Sequence, residues 1–147
     1  MFRHILVPTD GSGTADKAVA AGIDYAREAG ARVLFFTALP EYQLPSEPEL
    51  MAKQGMPLYE YERRAGEDAA EILKKAASRA KALDVAFDTE YTLSDHPAAA
   101  IVEAARKHGC DAIFMATHGR TGLSALLHGS ETHDVLVHSD IPTVVYR

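Results

Sequence analysis

A doubly wound α/β fold is predicted by two observations: five short segments rich in β-branched, aromatic or other apolar residues alternate with four helix-length segments, and strand segments such as 113–116 are apolar on successive residues. Strands are expected at His4–Pro8, 33–38, 86–93, 112–117 and Thr143–Tyr146, and helices at 14–28, 59–83, 97–108 and 130–137. Alternation of the two requires parallel crossovers, and the run Ile113, Phe114, Met115, Ala116 is what a strand covered on both faces carries. The expected architecture is a five-stranded parallel sheet in the order 3-2-1-4-5 with helices on both faces.

Each boundary has its own chemistry. Ser12 is placed to cap the first helix and Gly30 to end it, while Asp95 precedes Pro97 at the third and Gly109 closes that helix. Pro40, Pro45, Pro48 and Pro57 break the pattern after the second strand, so 40–58 is expected to be an irregular excursion at a pocket edge. The second helix, with Glu60, Glu62, Arg63, Arg64, Glu67 and Asp68, reads as a solvated surface helix.

A chain of 147 residues is expected to form one domain, spanning 1–147, with 47% hydrophobic and 24% charged residues as in ordinary globular proteins. A net charge of -6 gives no cationic surface for nucleic-acid backbones, so nucleic acid is not an expected partner. Cys110 is the single cysteine, which excludes an intramolecular disulfide and suits a reducing compartment. No segment approaches the ~20 apolar residues of a membrane span, and the start MFRHILVPTDGS lacks a signal-peptide pattern. A cytoplasmic protein without membrane insertion is expected.

Ligands of open α/β sheets sit outside the carboxyl ends of the strands, where chain order reverses. Two segments occupy such positions: Pro8-Thr9-Asp10-Gly11-Ser12-Gly13 after the first strand and the stretch from Ala116 to Ser130 after the fourth. In the second, Gly119 and Gly129 let backbone N–H groups approach phosphate oxygens, and Ser130, Glu131 and Thr132 open a helix whose positive dipole end favours an anion. By itself Asp10 reads as the Asp-Gly of a turn.

The start HILVPTDGS, the block MATHGRTGLSALLHGSETHDVL and the ending HSDIPTVVYR together resemble the universal stress protein family over nearly the whole chain. ATP-binding members of that family carry glycine, two residues, glycine, nine residues, then glycine and serine or threonine. Here Gly119, the residues 120–128 and Gly129-Ser130 match, and Ala116 stands at the first glycine. The resemblance implies ATP as ligand. Asp10 would bond the ribose hydroxyls or help hold Mg, Pro8 and Thr9 would line the base pocket, and the Ala38 backbone would meet the adenine edge. His118, Gly119, Arg120, Gly129, Ser130, Glu131 and Thr132 would form the phosphate loop. Two departures bear on affinity: Ala116 adds a methyl near the ribose, and Glu131 brings a carboxylate toward a triphosphate, which Arg120 would offset. Weakened rather than abolished binding is expected.

Rival motifs fail on spacing. A Gly-x-Gly-x-x-Gly fingerprint from Gly11 ends on Asp16, and no Gly-Lys-Ser or Gly-Lys-Thr occurs. His128, His133 and His138 recur every five residues, so successive side chains turn by about 140° around a helix and do not converge on a metal. Ser130, His133 and Asp134 crowd one helical turn and cannot form a nucleophile-base-orienter line. Cys110 and Met115 read as packing residues. With no general base in evidence, catalysis beyond slow ATP hydrolysis is not expected. The apolar last strand at a sheet edge needs covering, and a homodimer through it is expected, as the family resemblance also implies. The functional expectation is an ATP-binding regulatory or stress-response protein acting on an unidentified protein partner, with a dimeric interaction module that binds no nucleotide as the alternative.

Overall fold

The chain runs β1 (His4–Pro8), α1 (Gly13–Ala29), β2 (Arg32–Leu39), α2 (Glu47–Met51), α3 (Leu58–Ala82), β3 (Phe87–Leu93), α4 (Pro97–Lys107), β4 (Ala112–Ala116), α5 (Glu131–His138) and β5 (Thr143–Tyr146). This is a computed structural model, and it describes residues 1–117 and 131–146. The five strands form one parallel sheet in the order β3-β2-β1-β4-β5, the predicted topology.

Two-sided burial explains why the central strands β1, β2 and β4 are predominantly apolar, whereas β3 at the sheet edge is mostly exposed. Ile5, Val7, Val33, Phe35 and Phe114 face α1 and α3, packing with Val19, Ile23 and Leu73. Their neighbours Leu6, Leu34, Phe36, Ile113 and Met115 face α4 and α5, against Ile101, Ala105 and Val135. Each fully buried aliphatic or aromatic side chain contributes about 1.5–3 kcal/mol from its removal from water. Contact between layers is close: a Cβ added to Gly22 of α1 would lie 2.8 Å from Val7 Cγ2.

Helix ends follow the predicted chemistry in part. Ser12 Oγ accepts from Ala15 N–H at 3.2 Å, and Gly30 ends α1 in the left-handed region. Gly109, also left-handed, follows α4. Asp95 is not a cap: its Oδ1 accepts from Glu41 N–H at 2.9 Å and so ties the excursion to the end of β3, while His96 precedes Pro97 without a side-chain cap. The excursion contains a helix that the sequence reading omitted. Ser46 and Glu49 form a reciprocal capping box around α2, and Pro48 sits in its first turn, where a missing N–H costs nothing. Ser130, the expected start of the last helix, lies outside the described residues, and α5 is described from Glu131.

Candidate functional site

Strand ends of unequal length open a cleft at the centre of the sheet. The last β1–β2 pair is Pro8 with Phe36, whereas β2 continues beside β3 to Leu39. Thr9 N–H donates to the Phe36 carbonyl at 2.8 Å. Backbone direction alternates along a strand, so Ala38, two residues on, turns its N–H and C=O to the same side, beyond the end of β1.

The turn after β1 forms one wall. Gly11 N–H donates to Thr9 Oγ1 at 3.1 Å and Ser12 N–H to Asp10 Oδ1 at 2.9 Å. Gly11 takes φ of 80°, a conformation that glycine adopts without the Cβ penalty. This tight reversal carries the chain from the strand into α1 and aims the first turn of that helix at the cleft, with Ser12, Thr14 and Ala15 on its surface. Asp10 is exposed at the rim.

Opposite stands the beginning of α5. Thr132 is buried, and its Oγ1 donates to the Ala116 carbonyl at 3.1 Å, which pins this helix start to the end of β4. Glu131 is exposed beside it. Two helix N-termini therefore border one cleft, and both favour a negatively charged ligand.

Pro8, Thr9, Asp10, Ala38, Ala116, Glu131 and Thr132, seven of the residues singled out in the sequence, all line this cleft. His118, Gly119, Arg120, His128, Gly129 and Ser130 lie outside the described residues. Sequence reasoning missed Phe36, Thr37 and Ile101, which lie on the cleft with Met115. The first two were signalled only by their position beside Ala38, and Ile101 by the apolar face of its helix. The cleft encloses about 90 Å3, and a wider recess of about 1090 Å3 between α4 and α5 shares Glu131 with it. No lysine or arginine lines the cleft among the described residues.

Other candidate groups are disposed differently. Cys110 is buried, and burial pushes its thiol up to about 12, with the Asp111 carboxylate adding to the shift. Such a thiol stays protonated and packs rather than reacts. His138 Nδ1 lies 2.9 Å from the Asp134 carbonyl within its own helix. Among the described residues no group of three or more His, Cys, Asp or Glu side chains is arranged to hold a metal ion. No helix there is long and apolar enough to cross a membrane.

A model of the universal stress protein family matches residues 1–147. A universal stress protein of Methanocaldococcus jannaschii is 32% identical over 156 residues, covering 100% of this chain and 83% of that protein. The universal stress protein of Archaeoglobus fulgidus solved in complex with dAMP gives a TM-score of 0.68 at 18% identity, covering 99% of this chain and 98% of that one. A family protein from Arabidopsis thaliana with AMP bound gives a TM-score of 0.68 at 12% identity, covering 99% and 92%. The structural likenesses, at these identities, establish the fold.

Proposed function

The chain belongs to the universal stress protein family, and from that premise we propose that the cleft between β1, β2 and β4 binds an adenine nucleotide, ATP with Mg, in the course of a regulatory or stress-response role. One observation carries the reading: the backbone of Ala38, the Pro8 to Asp10 turn and two helix N-termini converge on one cleft at the carboxyl ends of the strands. Solved relatives with dAMP and AMP bound support it.

In this reading the Ala38 N–H and C=O meet the base edge, Pro8 and Thr9 pack on the base, and Asp10 takes the ribose hydroxyls. The enclosed 90 Å3 is less than the ~300 Å3 and upward of whole small-molecule sites. The phosphates would extend past it, and the family pattern assigns them to Gly119, Gly129 and Ser130, with His118 and Arg120, which lie outside the described residues. The donor set fits Mg only in company: it presents the Asp10 and Glu131 carboxylates, and Mg is ordinarily held by one or two carboxylates together with substrate phosphates. Bound there, Mg would neutralise phosphate charge beside Glu131. Occupancy changes the rim made by Asp10 and Glu131, the surface offered to a protein partner. We place the chain as one domain, in the cytoplasm, paired with a second copy through β5.

Native purification followed by mass spectrometry of the bound small molecules, then calorimetric titration with ATP and Mg, tests the nucleotide. The expected result is an adenine nucleotide carried through purification and measurable binding heat, both lost in Gly129→Val. Absence of both in the wild-type protein overturns the reading. A second reading, an interaction module that binds no nucleotide, is favoured by Glu131 at the cleft and the methyl of Ala116, and that null result is the outcome it expects.

A further inference from the structure

β3 is an edge of the sheet, and its ladder determines which backbone groups face outward. Val33 N–H donates to the Ala86 carbonyl, and Ser94 N–H donates to the Leu39 carbonyl. Even-numbered residues therefore address β2, and Phe87, Thr89, Tyr91 and Leu93 direct their N–H and C=O away from the sheet. Side chains of the same set turn toward α3. A recess of about 470 Å3 lies there, with Phe87, Thr89 and Tyr91 on the strand side and Gly66, Ala70 and Ala77 on the helix side. Tyr91 remains 43% exposed.

We propose that this edge pairs with the same edge of a second copy, antiparallel about a twofold axis at Thr89, with the two α3 helices packed antiparallel across the recess. Self-complementarity selects a second copy. About that axis Thr89 faces Thr89 and Phe87 faces Tyr91, and Thr–Thr and aromatic pairs are among those that stabilise antiparallel strands.

Charge follows the same axis. In the first half of α3 four acidic residues, Glu60, Glu62, Glu67 and Asp68, outnumber Arg63 and Arg64; after Ala70, Lys74, Arg79 and Lys81 outnumber Glu71, while Lys75 turns to Asp16 of α1. Antiparallel packing sets each acidic half against a basic one. The carboxylates that become neighbours, Asp88 and Glu90, arrive matched, with Arg32 Nη2 2.7 Å from Asp88 and Lys107 Nζ 2.9 Å from Glu90. The row across the axis reads cation, carboxylate, carboxylate, cation.

Spacing agrees as well. Because α3 lies over β2 and β3, strands ~4.8 Å apart put the two helix axes about 10 Å apart, within reach of ordinary helix packing. Gly66, Ala70 and Ala77 lower most of the facing surface, and Lys74, the one charged side chain of α3 on the recess, can extend toward the acidic half of the partner helix.

Oxidative cross-linking of Thr89→Cys tests the axis directly. A hydrogen-bonded antiparallel pair holds its Cα atoms about 5.5 Å apart, inside the ~4.4–6.8 Å that a disulfide spans. Cys110 is buried and does not compete. The expected result is a disulfide-linked dimer forming about tenfold or more faster than from the exposed control Glu28→Cys, since pairing raises the effective thiol concentration. Adding Ala70→Glu, at an exposed position in the recess, is expected to slow it to the control rate. Cross-linking no faster than the control, or unchanged by Ala70→Glu, overturns the proposal. Neither readout depends on nucleotide or on β5.

Discussion

His4 begins β1 with its imidazole among Arg32, Asp88 and His108, and its buried Nε2 has no hydrogen-bond partner among the described residues. Burial lowers its pKa below 6.5, and the Arg32 cation lowers it further, against the Asp88 carboxylate and the His108 carbonyl. A histidine held neutral in the fold takes up its proton more readily when unfolded. Its contribution to stability is therefore present above pH 6.5 and is lost as pH falls through the lowered folded value. Thermal melts between pH 7.5 and 5.5 should show the midpoint falling with acid, and His4→Gln should flatten that slope; an unchanged slope removes His4 as its cause. Asp111 acts in the same sense over a lower pH window. Although burial raises its pKa, the N–H groups of Arg3 and His4 at 2.9–3.1 Å hold it below the usual carboxylate value, so its contribution is present near neutrality and lost only in stronger acid.

At the scale of elements, close packing overrides local preference. Alanine suits a helix interior better than glycine by about 0.8–1.0 kcal/mol, yet Gly22→Ala would press a methyl against Val7, whose branched side chain has little rotamer freedom. Overpacking of that kind costs about 1–3 kcal/mol, so the substitution should lower the urea midpoint, and a rise would show that α1 shifts freely over β1. The same two-sided packing made the strands legible: Ile113 to Ala116 had to be apolar throughout because α1 covers one face and α4 the other. α2 was not legible, because Pro48 within it and Pro45 just before it read as breakers and none of its residues is buried, so no apolar periodicity marked it. Asp95 misled for a related reason. A residue before a helix resembles a cap until its bond to Glu41, 54 positions away, is seen. Cleft residues on the turn after β1 could be read locally, whereas Phe36 and Ile101 join it only through the register of distant elements.

At the scale of the whole molecule, the sheet has two edges, β3 and β5. Ile113 N–H donates to the Pro142 carbonyl and Thr117 N–H to that of Tyr146, so Thr143 and Val145 of β5 direct their backbone groups outward, and Val145 is 37% exposed. If β5 and β3 both pair with their own kind, each copy carries two different twofold axes and the assembly extends as an open chain. Light scattering should then give Val145→Lys the mass of two 15.9 kDa subunits, a wild-type assembly larger than that, and a monomer for Val145→Lys with Ala70→Glu. Equal masses for wild type and Val145→Lys would remove β5 as a contact.

The bond from Thr132 to the Ala116 carbonyl has a consequence for how such a chain diversifies. It fastens the end of β4 to the start of α5 from outside the segment that joins them, residues 118–130, so the entropy of bringing those ends together is met by the scaffold. The cost of closing a connection grows only logarithmically with its length, about 0.6 kcal/mol for each doubling. Segments of different length and composition can therefore be exchanged between the same two anchors while the melting behaviour of the sheet barely changes. With the proposed phosphate contacts assigned to that connection, ligand preference and fold stability would be separately heritable traits of one polypeptide.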